Sequence, residues 1–196
     1  MAAMLAKVTG ACSAANLAKV LLLRINGPKA TFNGVDFRAS YRFEDVFGGD
    51  LIIGGVGNRT VNYSFAPFTV AGLPVAGFEA VGMLNAGTLA HTLPEWKWQG
   101  YVNYARGPVN LRWSVRYNSH YIDQRQTMTA VGRTIDASML HDFAAVVELP
   151  RNVTFSLAVT NVFDEEPPLA RLAEGYDAMT SDPRGRTIRT GLRMAF

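Results

Sequence analysis

From Asn33 onward the chain alternates. Val35, Phe37, Ala39, Tyr41 and Phe43 are interleaved with Asp36, Arg38, Ser40 and Arg42. A strand sends successive side chains to opposite faces, so this run predicts a strand over 35–43 with one apolar and one polar face. Gly48-Gly49, within 44–50, predicts a short turn. The next strand, 51–65, opens with Leu51 and Ile53 on one face; Gly54, Gly55 and Gly57 then blur the register and point to a bulge or bend. Arg59 falls on the apolar side of that register, so it is expected at the rim or displaced by the bulge.

The same two-faced pattern returns five more times. Over 95–104, Trp96, Trp98, Val102 and Tyr104 oppose Lys97, Gln99, Tyr101 and Asn103. Over 110–121, Leu111, Trp113, Val115, Tyr117 and Tyr121 oppose Arg112, Ser114, Arg116, Asn118 and His120. Over 137–149, Phe143, Ala145, Val147 and Leu149 share a face with His141, while Asp142 and Glu148 take the other. Over 153–163, Val153, Phe155, Leu157 and Val159 face away from Thr154, Ser156, Ala158 and Thr160. The last strand, 186–196, sets Ile188, Thr190, Leu192, Met194 and Phe196 against Thr187, Arg189, Gly191, Arg193 and Ala195.

The connections between these strands alternate in length. Those at 44–50, 105–108 and 150–152 are short; those at 66–93, 122–136 and 164–185 are long and aperiodic. Soluble barrels and sandwiches have turns of more even length at both ends. Short turns on one side and long loops on the other are the pattern of an outer-membrane barrel, whose strands alternate apolar outward and polar inward. Arg112, Arg116, Arg189 and Arg193 on the polar side fit a wet lumen, whereas a packed core would need a partner for each. The expected fold is therefore all-β: an antiparallel transmembrane β-barrel meander, incomplete, with about seven to eight strands of a larger barrel.

Composition agrees with this. Of 196 residues, 48% are hydrophobic and only 18% charged, which suits half-apolar strands. The net charge of +3 is spread along the chain and gives no support to a nucleic-acid partner. No run reaches the about 18 apolar residues of a membrane helix. Lys7 interrupts the apolar residues of Met1–Gly10, a poor signal-peptide core, and the single cysteine, Cys12, reads as a small buried residue. Residues 1–17 are expected to be a loop remnant and 18–196 the barrel segment.

Three stretches carry a resemblance. Asn161-Val162-Phe163-Asp164-Glu165-Glu166-Pro167-Pro168 resembles the Asn-Leu-Phe-Asp element at the penultimate strand end of TonB-dependent outer-membrane receptors. Tyr176-Asp177, then Asp182-Pro183-Arg184-Gly185-Arg186 and a strand ending in Phe196, resemble that family's carboxyl-terminal signature, with Ala178–Ser181 inserted between the two pieces. Asn33-Gly34-Val35-Asp36-Phe37 is similar to a strand found further upstream in the same barrels. The motif residues are Asn161, Phe163, Asp164, Pro167, Gly185 and Arg186. Ile188, Leu192, Met194 and Phe196 are the positions that the resemblance implies are read by the barrel-assembly machinery.

The resemblance implies a barrel of about 22 strands with a plugged lumen, located in the bacterial outer membrane. Its partners would be outer-membrane lipid, the TonB complex, the missing amino-terminal plug and barrel strands, and a nutrient such as a ferric siderophore. Energised uptake is not expected of this segment alone. No enzyme activity, metal or cofactor is expected. His91, His120 and His141 lie far apart in sequence, and His141 and Asp142 alternate to opposite faces. Gly55-Val56-Gly57 lacks the third glycine and the helix of a dinucleotide loop, and Asp164-Glu165-Glu166 lacks calcium-loop spacing. Two other readings stand beside the receptor: a self-contained small outer-membrane barrel of structural or adhesion role, closed by an eighth strand at 20–26, and a soluble ligand-binding β-barrel. Outward Trp96, Trp98, Trp113 and Phe196 make a poor surface for the last.

Overall fold

The structure, a computed structural model, describes residues 2–9, 19–70, 72–125 and 133–195. The described residues contain strands and no helix. In chain order the strands are β1 (Ala2–Thr9), β2 (Lys19–Asn26), β3 (Ala30–Val46), β4 (Gly49–Phe65), β5 (Phe68–Val70), β6 (Leu73–Val75) and β7 (Phe78–Glu79). There follow β8 (Trp96–Arg106), β9 (Val109–Asn118), β10 (Tyr121–Ile122), β11 (Thr134–Ile135), β12 (Ser138–Leu149), β13 (Val153–Thr160) and β14 (Thr187–Met194). The main sheet runs β3-β4-β8-β9-β12-β13-β14, each strand antiparallel to the one before it, with β7 added at the end of β4. It is the expected meander in sequence order.

One row of paired residues crosses all seven strands. Tyr41, Ile53, Val102, Trp113, Phe143, Val159 and Ile188 stand side by side. Every member is apolar or aromatic, because the period of two keeps each strand's apolar set on one side. The adjacent row on the opposite face begins Arg42, Ile52, Asn103, Arg112 and ends at Arg189. Tyr41, Ile53, Val102 and Ile188 are all exposed. The sheet thus has a wide apolar face that nothing in the described residues covers.

Burial is concentrated elsewhere, in the long connections. Leu84, Tyr121, Ile135 and Ala170 form one packed cluster; Leu84 comes from the first long connection, Tyr121 and Ile135 from the stretch between β9 and β12, and Ala170 from the third. Phe65, Ala80 and Ala90 form another, with Tyr63, Phe78 and Leu89 against them. Asn85 organises the first loop: it is buried, sits at φ 56, and its Nδ2 donates to the carbonyls of Ala80 (2.9 Å), Met83 (3.2 Å) and His91 (2.9 Å). The three loops make a folded cap at one end of the sheet. The turns 47–48, 107–108 and 150–152 lie at the other.

Several expectations change. The segment 1–17, read as a loop remnant, contains β1, which pairs along its length with β2. Residues 20–26 are therefore a strand, but they join β1 rather than the main sheet. β3 begins at Ala30, five residues early, since 30–34 pair with the end of β4 across a register shift at Asn33/Gly34. That bulge lies beside Arg59, which sits at the loop end, ion-paired with Glu95 at 2.9 Å and stacked over Trp96. The strand predicted over 110–121 stops at Asn118, where the Ser119 hydroxyl takes the backbone N–H of Trp96. Tyr121, placed on the outward face by its spacing, is buried in the cap instead. The strand predicted over 153–163 stops at Thr160. Asn161 turns into the left-handed region (φ 54), a conformation asparagine tolerates better than most residues. Cys12 and Phe196 lie outside the described residues.

Candidate functional site on the polar face and its loop clasp

On the polar face, Asp36, Asn58, Lys97, Asn118 and Ser138 form one row, and Arg38, Val56, Gln99, Arg116 and Leu140 the next. Together with Thr180 from the third loop they line a cavity of about 720 Å³. A smaller one, about 220 Å³, adjoins it between Arg116, Asp142, Asn161, Arg184 and Arg189. Gly54 lets the face close over itself: a Cβ there would meet the Tyr101 hydroxyl at 2.6 Å, and Arg112 lies 4.2 Å from the centre of that ring. The surface is concave and carries Arg38, Lys97 and Arg116 against Asp36, a net-basic lining able to hold an anionic or hydrogen-bonding partner.

A chain of polar contacts ties this face to the loops. Arg116 grips Asp142 with two bonds, Nε to Oδ2 at 2.8 Å and Nη2 to Oδ1 at 3.0 Å. Asp142 Oδ1 also accepts the backbone N–H of Asn161 at 2.9 Å. The buried Asn161 side chain closes its own turn: Nδ2 donates to the Glu165 carbonyl and Oδ1 accepts the Glu165 N–H, both at 2.9 Å. Asp164, at φ 58, reaches across to accept the N–H of Arg186 at 2.7 Å, and the Arg186 guanidinium returns a bond to the Val162 carbonyl at 3.3 Å. Gly185, at φ +63, packs on the same carboxylate, so that a Cβ there would meet Asp164 Oδ1 at 2.7 Å. Two segments 21 residues apart in sequence form one clasp. Beside it the Arg184 guanidinium holds the Asp182 carboxyl down at about 2.

Of the motif residues, Asn161, Asp164, Gly185 and Arg186 meet in this clasp. Phe163 leaves it for the apolar face, edge-on to His141 at 5.0 Å between ring centres and 6.1 Å from Trp113. His141 accepts the indole N–H of Trp113 on Nδ1 at 3.2 Å, while Asp142 faces the opposite way. Pro167 is half-buried in the third loop and takes no part in the clasp. Ile188, Leu192 and Met194 lie exposed on the apolar side of β14.

Two further polar centres form in the cap; of their residues only Asp177, in the Tyr176-Asp177 piece of the resemblance, had been singled out in the sequence. Tyr121 donates its hydroxyl to Asp177 at 2.9 Å and meets the Thr180 hydroxyl at 2.8 Å; burial pushes the Tyr121 phenol well up. Asp123, fully buried, takes two side-chain bonds from Arg125, at 2.9 and 2.7 Å, and lies 3.6 Å from Arg171. Arg125 depresses the Asp123 carboxyl below its usual range. A depressed folded value contributes stability above the ordinary value, about 3.9, and loses it as pH falls through the folded one. Acidification below about pH 4 should therefore loosen the cap. Faster amide exchange at 82–93 and 121–125 would report it, and Arg125→Leu should move that transition to higher pH.

No family model, curated protein or solved structure matches the chain.

Proposed function

We propose that this chain is the carboxyl-terminal part of the β-barrel of a TonB-dependent outer-membrane receptor, its apolar face in lipid and its polar face toward a wet lumen. One observation carries the reading: an apolar row, exposed at Tyr41, Ile53, Val102 and Ile188 and half-buried between them, crosses seven strands, while the packed clusters of the described residues lie in loops at one end. A soluble sheet buries its apolar face under a second layer. A barrel wall in lipid needs none, and has its long loops on the outer side. The clasp adds support, because the residues of two separate resembling motifs converge in it. β8, β9 and β12, at 11, 10 and 12 residues, are long enough to cross a bilayer at a tilt.

In this reading the chain supplies part of a wall for energised uptake of a ferric siderophore or another scarce nutrient, and the plug and the other strands come from elsewhere. Self-closure into a small barrel is disfavoured by direction. With every neighbouring pair antiparallel, the first strand β3 and the seventh, β14, run the same way and cannot form an antiparallel seam. β2, the expected eighth strand, is held by β1.

The orientation test is limited proteolysis of intact cells that make the protein. Added protease should cut within 66–95 or 161–186 and spare the turns at 47–48, 107–108 and 150–152. Cleavage at both ends, or recovery of the protein as a water-soluble monomer, would overturn the reading.

A further inference from the structure

At its loop end the polar face carries more positive charge than its own carboxylates match. The two adjoining cavities present Arg38, Lys97, Arg116, Arg184 and Arg189 against Asp36, Asp142 and Asp182, a surplus of two positive charges. Arg116 is taken by Asp142 and Arg184 by Asp182. Asp36 accepts the Asn58 amide at 3.1 Å. Arg38, Lys97 and Arg189 are left without an ion-pair partner among the described residues.

Two of these cations stand on either side of one strand. Val56 of β4 pairs with Arg38 on one side and with Gln99 on the other, and Lys97 pairs with Asn58 one step nearer the loops. Val56 is short and exposed, so it floors a trough two strand spacings wide, about 10 Å between the flanking backbones. A guanidinium rises from one wall; an ammonium and an amide rise from the other. Gln99 makes no hydrogen bond among the described residues, so its amide is open as well. The third loop reaches the rim, where the Thr180 carbonyl accepts the Asn118 amide at 3.4 Å. A planar guanidinium matches the paired oxygens of a carboxylate, and an ammonium meets a second carboxylate as a point charge. With the two cations on opposite walls, a short carbon chain bearing an anionic group at each end fits between them.

We propose that the trough over Val56 binds a small organic dianion, one carboxylate in the Arg38 guanidinium and the other at the Lys97 ammonium, with the Gln99 amide beside it. The site deepens the uptake reading by giving the cargo its charge, and it rests on that reading for the role of cargo. Binding itself needs only that this face meets water.

The test is titration calorimetry of the full-length protein that carries this chain, in nonionic detergent at low salt. The probes are the linear dicarboxylates from malonate to adipate and then, for the tightest of them, its monoamide and its diamide. These last three differ in charge and hardly in shape. Each lost charge should weaken binding about tenfold, the scale of a hydrogen bond to a charged group. Lys97→Met should bring the dicarboxylate and its monoamide to equal affinity, because the second carboxylate then has nothing to meet, and Arg38→Gln should do the same. Arg193→Gln, at the turn end, removes the same unit of charge and should leave binding unchanged. Equal affinity for all three compounds, no binding of any dicarboxylate, or a loss from Arg193→Gln as large as that from Lys97→Met would overturn the site. None of these outcomes bears on which way the apolar face points, which proteolysis of intact cells reads separately.

Discussion

Leu157→Arg should destabilise the membrane-inserted protein by about 2–4 kcal/mol, whereas Ser156→Arg, one residue earlier, should cost less than about 1 kcal/mol. The two residues are neighbours in the middle of β13 but stand on opposite faces. Leu157 pairs with Ala145 and Thr190, and Ser156 with Val146 and Gly191. In the proposed orientation the first substitution puts a cation into hydrocarbon near the midplane, while the second puts it into water. Arg189 and Arg193 stand on the diagonals of Ser156 on the same face, so part of the small cost of Ser156→Arg is like-charge repulsion, which water and salt screen. The measurement is reversible denaturant unfolding in vesicles, with the level of each variant in the membrane as a second readout. Leu192→Arg and Arg193→Leu, nearer the turn end of β14, should follow the same order with smaller amplitude. Equal losses from Leu157→Arg and Ser156→Arg would mean that both faces see the same medium, and the two-faced reading would fail.

The second large effect is expected at the clasp. Gly185 and Gly175 both hold positive φ, at 63° and 79°, in the same long loop. Alanine at either position pays the left-handed penalty of about 1–2 kcal/mol. Only at Gly185 does the new methyl collide, with Asp164 Oδ1 at 2.7 Å, the oxygen that accepts the Arg186 N–H. Gly175 has nothing within 4 Å. Gly185→Ala should therefore cost about 1–3 kcal/mol more than Gly175→Ala, the scale of displacing a carboxylate from the N–H it accepts. Thermal unfolding of the two variants gives the difference directly. If they unfold together, the clasp contributes nothing beyond backbone geometry.

The seven meander strands and their faces were legible because a strand's side-chain direction depends only on parity. Tyr41, Ile53, Val102, Trp113, Phe143, Val159 and Ile188 could each be assigned a face from their own segment. The alternation of short and long connections also needed no coordinates. Arg59 could be placed at the rim from its conflict with the apolar side.

Tertiary structure alone decided the rest. The loops at 66–93 and 122–136 have no period, since their order comes from long-range contacts such as Leu84 on Tyr121 and Ala170, and from Asn85 bonding three carbonyls. Tyr121 was misplaced for that reason: its spacing continues β9, but the chain breaks at Ser119 and the ring turns into the cap. The clasp was visible only as two separate resemblances. That Asn161 and Asp164 are held against Gly185 and Arg186, and tied through Asp142 to Arg116, depends on the pairing of β12, β13 and β14. The trough over Val56 is of the same kind. Arg38 and Lys97 each read alone as a solvated strand position, and only the register of β3 and β8 on β4 sets them on its two sides. Local sequence fixes which way a side chain points, because parity is local. What stands beside it across the sheet depends on pairing between distant segments, and that is a property of the fold.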